Sequence, residues 1–315
     1  MKKICVLLVL AISATSLFGC RQGERRQVLS LATSVIGGTY YIVGAGLAEV
    51  INRAIPNVTV NAIIAQGSTG NPIMLHRNEV ELGITNYISA SSAIAGRAPF
   101  DTPMDIKGIA PLQFSSLHIM VMGNSGLYTM QDLRGRRVNL GPAGSGGALF
   151  FRELLPFWGL SEDDFSFSFL SFVEGTEALR DGRVDVNVPN GAAPLETVSS
   201  LAAFSDVRLI NLETENLNRV REALPFYDIS IIPAGTYRGI DEVQTGGNQD
   251  ILIVRADMDE ETVFQITKAI YEAMEELRSV HPSLANMTFA GYRHSVVPLH
   301  PGALRFYMER GIPIE

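Results

Sequence analysis

Cysteine is almost missing from this chain. Of 315 residues only Cys5 and Cys20 are cysteines, and both lie in the first twenty. No disulfide can therefore staple the body of the protein, which must be stabilised by burial. The 46% of hydrophobic residues against 18% charged supply enough material for sizeable cores. Clustered positive charge is missing too: the formal net charge is −8, and no long run of lysine and arginine occurs in the body. That excludes nucleic acid, or an anionic membrane surface held by charge, as the partner. Nucleotide signatures are absent as well, with no G-K-[ST] and no G-x-G-x-x-G in a strand-to-helix setting. Neither H-E-x-x-H nor C-x-x-C occurs, and His76, His118, His281, His294 and His300 stand without ligand spacing. No metal and no cofactor are expected.

What is present begins with "MKKICVLLVLAISATSLFGC". Lys2 and Lys3 precede an apolar stretch from Ile4 to about Ile12, and small residues lead to Gly19 and Cys20. This is the three-part order of a secretory signal, too short for a comfortable transmembrane span. The ending "LFGC" resembles a bacterial lipobox, although Phe18 departs from the small or aliphatic residue usual there. Residues 1–19 are thus expected to be a lipoprotein signal peptide, with Cys20 lipidated and residues 20–27 a tether. An ordinary signal peptide cut nearby is the alternative. Either way the expected location is outside the cytoplasm, periplasmic or at the cell surface.

From Val28 short strand-like runs alternate with helical patterns. "VLSLAT" reads as a strand, "YYIVGAGLAEVINRAI" as a helix stopped by Pro56, and "VTVNAIIAQ" as a strand with Val58, Val60, Ala62 and Ile64 on one face. "PIMLHRN" and "SASSAIAG" read as short helices around the strand "VELGITN". After "LHIMVMG" the βα grammar restarts, with a strictly alternating "FSFSFLSF" strand and an Asp259-capped amphipathic helix running to about Val280. Two α/β units follow, with lobe 1 at 28–122 and 233–315, lobe 2 at 123–232, and hinges near Met122 and Ile232.

Each unit repeats one device: "SVIGGTYY" and "LGPAGSGGALFF" are Gly-Gly turns that follow a strand and open a helix. Glycine lets backbone amides approach a bound group, and a helix starting at Gly146 or Gly147 aims unpaired N–H groups at it. Two such turns suggest a cleft walled by helix N-termini, where open α/β sheets bind ligands. "AGSGG" around Ser145 also fits a relaxed nucleophile elbow, with Asp185 and then His281, His294 or His300 in hydrolase order. Gly141 to Gly144 separate that serine from its strand, however, and no HGGG-like oxyanion segment exists. The residues point to a two-lobed exported binder without catalysis.

The chain resembles the TAXI family of TRAP-transporter solute-binding proteins. The resemblance is carried in order by "GGTYYIVGAGLAEVIN", "VTVNAIIAQGSTGNPIML", "VELGITN", "DLRGRRVNLGPAGSGG", "EALRDGRVDVNV", "PFYDISIIPAGTY", "ILIVRADMDEETVFQITKAIYE" and "PLHPGALRFYMERG", over most of residues 28–311. It implies a two-lobed periplasmic-binding-protein fold of type II, each lobe a mixed β-sheet flanked by helices with the ligand cleft between them. It also implies no enzymatic activity. The implied cargo is a small organic acid or amino-acid-like solute, and the implied partner is the membrane subunit of a TRAP transporter. A sensing protein without transport is the alternative, and a serine hydrolase using Ser145 the weaker one. The family's pocket positions map onto Gly38, Thr39, Tyr40, Gly67, Ser68, Asn71, Asn86, Ser145, Gly146, Gly147, Asn190 and Gly191. Asn86 stands where relatives often have glutamine, and Ile88 where an acid is common, which weighs against a glutamate-like cargo. Asn187 and Asn190 are polar where relatives tend to be apolar.

Overall fold

The computed structural model describes residues 26–224 and 226–314, so the expected signal peptide, Cys20 and most of the 20–27 tether lie outside the described residues. In chain order the first elements are β1 (Gln27–Ala32), α1 (Thr39–Ala54), β2 (Val58–Ile63), α2 (Gly70–His76), β3 (Leu82–Asn86), α3 (Tyr87–Ala95) and β4 (Ile106–Leu117). There follow β5 (Met120–Met122), β6 (Arg137–Asn139), α4 (Gly146–Leu154), β7 (Ser166–Ser168), α5 (Phe172–Arg180), β8 (Val186–Asn187), β9 (Asn190–Gly191), α6 (Glu196–Phe204), β10 (Val207–Leu209) and α7 (Thr214–Ala223). The chain closes with β11 (Asp228–Ile232), β12 (Val243–Arg255), α8 (Glu260–Glu272), α9 (Met274–Val280) and α10 (Pro301–Arg310).

Two mixed sheets result. The first runs β2-β1-β3-β12-β4-β9 with β11 paired to β12, and the second runs β10-β5-β8-β6-β7. β1 lies parallel to β2 and β3, whereas β12 lies antiparallel to β3 and β4. Ile251, Leu252, Ile253 and Val254 of β12 are all fully buried, as a strand covered on both faces requires. Where the chain enters the second sheet the faces separate with the pleat: Ile119 and Val121 join one apolar core while Met120, Val207 and Leu209 join another.

Local signals account for the helix ends. α1 buries Val43, Leu47, Val50 and Ile51 at helical spacing and stops at Ile55, before Pro56. Asp259 accepts from the Thr262 amide at 2.8 Å, capping α8 as its sequence suggests. The single helix expected up to Val280 is instead two, broken at Ala273. The alternating "FSFSFLSF" forms a strand only over Ser166–Ser168, because its one partner, β6, is itself three residues long. Sheet membership also crosses the boundaries read at 122 and 232: β5 belongs to the second sheet, and β9 and β11 to the first. No helix of the described residues is long and apolar enough to cross a membrane.

The passage from β4 to β5 is pinned by His118, which is fully buried. Its Nδ1 faces the Ser116 carbonyl at 3.0 Å and its Nε2 the Tyr237 hydroxyl at 2.8 Å, while that hydroxyl accepts from the Leu195 amide at 2.8 Å. Of the two neutral tautomers, only the one with the proton on Nδ1 satisfies all three contacts. Burial pushes the imidazole down to about 4.

Candidate functional site

α1 and α4 both begin at the gap between the sheets. Neither has an acidic residue in its first turn or a side-chain cap bond, so their leading N–H groups remain available. Gly38 precedes α1 at a point where a Cβ would fall 2.6 Å from Ser34 Oγ, so a larger residue would force Ser34 to shift. The turn into α4 passes through Gly141 at φ +78, a left-handed conformation that favours glycine. Between these turns lies Phe172, whose ring would meet a Cβ at Gly38 at 3.1 Å and one at Gly141 at 3.3 Å.

The walls are in contact. The Gly144 carbonyl, from the loop before α4, accepts from the Thr69 amide at 3.0 Å and the Gly70 amide at 3.3 Å. The cavity left between them is about 30 Å³, room for about two water molecules. A wider recess of about 470 Å³ adjoins it, sharing Gln66 and Ser145 and carrying Arg152, Glu153 and Glu162 on its rim. A solute larger than a few waters does not fit the cavity as the walls stand.

Of the residues singled out in the sequence, Gly38, Thr39, Tyr40, Gly67, Ser68, Ser145, Gly146, Asn190 and Gly191 line this cavity. Asn71, Asn86 and Gly147 are not among the lining residues. The amide nitrogen of Asn71 donates to the carbonyls of Ala32 at 3.1 Å, Thr33 at 2.8 Å and Ile84 at 2.7 Å. It ties β1 to β3 and has no donor left for a guest. Asn86 caps α3 through Oδ1, which accepts from the Ser89 amide at 2.8 Å, and its buried Nδ2 has no partner. That nitrogen lies behind Gly146, 2.3 Å from where a Cβ there would sit. Gly147 backs onto Asn190. Asn187 turns into the second sheet, accepting from Asn139 Nδ2 at 2.8 Å.

Among the described residues Ser145 finds no base, and the His294 side chain lies outside them. Its Oγ donates to the Leu140 carbonyl at 3.3 Å, and no histidine lines the cavity. Asp185 is paired with Arg137 at 2.7 Å, His281 faces Ser283, and His300 caps α10.

Sequence reading missed Ser34, Val35, Gln66, Ser115 and Phe172 in the lining, and missed what stands behind it. Asp250 of β12 is fully buried against Tyr40, whose hydroxyl donates to Oδ1 at 2.6 Å, and Ser115, whose hydroxyl donates to Oδ2. Burial pushes the Asp250 carboxyl up to about 7, with the Ser115 and Tyr40 hydroxyls and the Gln113 side chain pulling it back. Burial and the neighbouring carboxylate also hold the Tyr40 phenol protonated, well above its ordinary range. An aspartate heading the otherwise apolar "DILIV" was the available signal.

Residues 31–311 match the model of the NMT1-like family. Among solved structures, the chain is similar to PhnD1 from Prochlorococcus marinus (MIT 9301) in complex with methylphosphonate. The TM-score is 0.56 at 12% identity, over 92% of this chain and 100% of that one. It is similar also to the alkanesulfonate-binding protein SsuA from Xanthomonas axonopodis pv. citri bound to MOPS, with TM-score 0.51, 17% identity and coverage of 92% and 95%. A putative L-cystine ABC transporter from Listeria monocytogenes gives 0.52 at 12% identity over 82% and 97%. At such identities the likeness is one of fold, and the expected type II periplasmic-binding-protein architecture, with mixed sheets flanked by helices, is the one observed.

Proposed function

The chain belongs to the NMT1-like family, and from that membership and the cleft we propose that it is a non-enzymatic solute-binding protein serving a membrane transporter. It captures a small organic acid or amino-acid-like solute between two lobes, one built on each sheet. The observation that carries this reading is the pair of uncapped helix N-termini, at Thr39 and Gly146, facing one cavity from opposite walls. A carboxylate there would be met by backbone N–H groups and dipole ends, with the Thr39 hydroxyl beside them and that of Ser145 once it turns from the Leu140 carbonyl. Because the grip is divided between walls, binding and closure are one event. The solved neighbours, whose names include a sulfonate and a phosphonate, support a cleft of this kind for small anionic solutes.

A thermal-shift screen of small carboxylates and amino acids tests the reading. A ligand at 100-fold over its Kd stabilises the folded state by about 2.7 kcal/mol, a shift of several degrees. Ser145→Ala should then weaken the best hit by roughly ten- to a hundredfold, as loss of one hydrogen bond to a charged group does. A screen in which no compound shifts the transition would end the proposal.

We further propose delivery to a TRAP-type transporter, on the strength of the eight motifs that resemble TAXI proteins, and anchoring through lipidated Cys20. The chains of a bacterial lipoprotein hold a protein far more firmly than one acyl group does. Cys20→Ala should abolish labelling by a fatty-acid analogue and release the protein from membranes; persistent labelling would refute the anchor. A gene for a multi-span permease adjoining this one is the expected genomic context for delivery.

A further inference from the structure

Asp250 is a buried carboxylate that no cation answers. Among the described residues no lysine, arginine or histidine lines the cavity in front of it, and Asp250 takes part in no ion pair closer than 4 Å. A carboxylate withdrawn from water is costly unless a positive partner or a full set of donors compensates it. Here the donors are two hydroxyls, Tyr40 on Oδ1 and Ser115 on Oδ2, with the Gln113 side chain beside them, and both hydroxyl-bearing residues line the cavity.

The direction of those bonds matters. A hydroxyl has one proton, and Tyr40 and Ser115 each commit theirs to Asp250, so what they turn to a guest is lone pairs. Tyr40 Oη lies 3.0 Å from Ser68 Oγ, which can give its proton to the phenol oxygen in turn. The back of the cavity is therefore an accepting surface with a negative charge directly behind it. The front, at Thr39 and Gly146, is a donating surface of helix N-termini.

We infer that the solute is a zwitterion whose ammonium group donates to Ser115 Oγ and Tyr40 Oη, with Asp250 as the charge that selects it and the helix N-termini holding its carboxylate. The inference rests on reading the cleft as a solute site. Asp250 acts through the two hydroxyls, as a positioning and selecting residue. It narrows the cargo from small organic acids at large to amino acids and related aminocarboxylates, and the closeness of the walls favours the smallest of them.

Calorimetry on the full chain at pH 8 with matched pairs tests it: alanine against propionate, and glutamate against glutarate. In the parent the amine-bearing member of at least one pair should bind roughly tenfold or more tighter, the size of one charge-assisted hydrogen bond. In Asp250→Asn that preference should fall to within a few fold, and in Ser115→Ala it should shrink while carboxylate-only ligands keep their affinity. Ser115→Ala leaves the aspartate in place and guards against a folding defect in the first variant. Propionate or glutarate binding the parent as tightly as its amino partner overturns the inference and leaves the solute reading standing. A preference that persists in both variants likewise removes Asp250 from the assignment. If no member of any pair binds, the solute reading itself falls, and this inference with it.

Discussion

Gly146→Val should abolish solute binding while leaving both sheets folded. A Cβ at residue 146 would lie 2.3 Å from Asn86 Nδ2, 2.9 Å from Ser68 Oγ and 3.0 Å from Ser68 Cβ. Both neighbours belong to the wall built on the first sheet, whereas Gly146 opens α4, the helix that follows β6 of the second. The clash therefore arises only when the walls meet. Asn86 cannot retreat freely, because its other amide atom caps α3. Gly146 does not need a left-handed backbone, so valine adds no local strain and the melting temperature should stay within a few degrees of the parent's. Excluding the closed form lowers apparent affinity by the fraction of closed state lost, and we expect a deficit of more than about a hundredfold. Calorimetry with the best solute, alongside small-angle scattering with and without it, separates the outcomes. Parent-like affinity, or ligand-induced compaction in the variant, would show that the contact between Gly146 and Ser68 is no part of the bound state.

Asp250→Asn should remove a large pH dependence of stability. The parent carboxyl titrates near pH 7 when folded, whereas an unfolded aspartate titrates near its ordinary value of 3.8. The folded state thus holds a proton that the unfolded state has already lost between those limits. Its stabilising contribution is complete below about pH 4 and is lost as pH rises to about 7. At roughly 1.4 kcal/mol per unit, the swing is on the order of 4 kcal/mol, or roughly ten degrees of melting temperature. His118 works the other way, since its depressed folded pKa withdraws stability as pH falls from 6.5 to about 4. That contribution is common to both proteins and cancels in the difference between them. The melting temperature of Asp250→Asn minus that of the parent should therefore increase from pH 5 to pH 8. A difference that stays flat across that interval would mean the carboxyl keeps its ordinary acidity in the folded protein.

The sequence determined what depends on spacing along the chain. Alternating and helical periodicity located most strands and helices, Pro56 and Asp259 marked helix boundaries, and the two Gly-Gly turns located both walls of the cleft. These are decided within a few residues, by backbone conformation and capping, so they are legible without a fold. Tertiary structure alone decided which polar side chains face the guest. Asn71 and Ser68 sit three residues apart in one glycine-rich stretch, yet the Asn71 amide is spent on Ala32, Thr33 and Ile84 while Ser68 opens onto the cavity. Asp250 reaches Tyr40 across 210 residues of sequence, and Ser115 across 135, because antiparallel pairing sets β12 between β3 and β4. Whether a buried amide or carboxylate serves a strand or a ligand is settled by which donors and acceptors surround it, and those arrive from distant segments only when the sheets assemble.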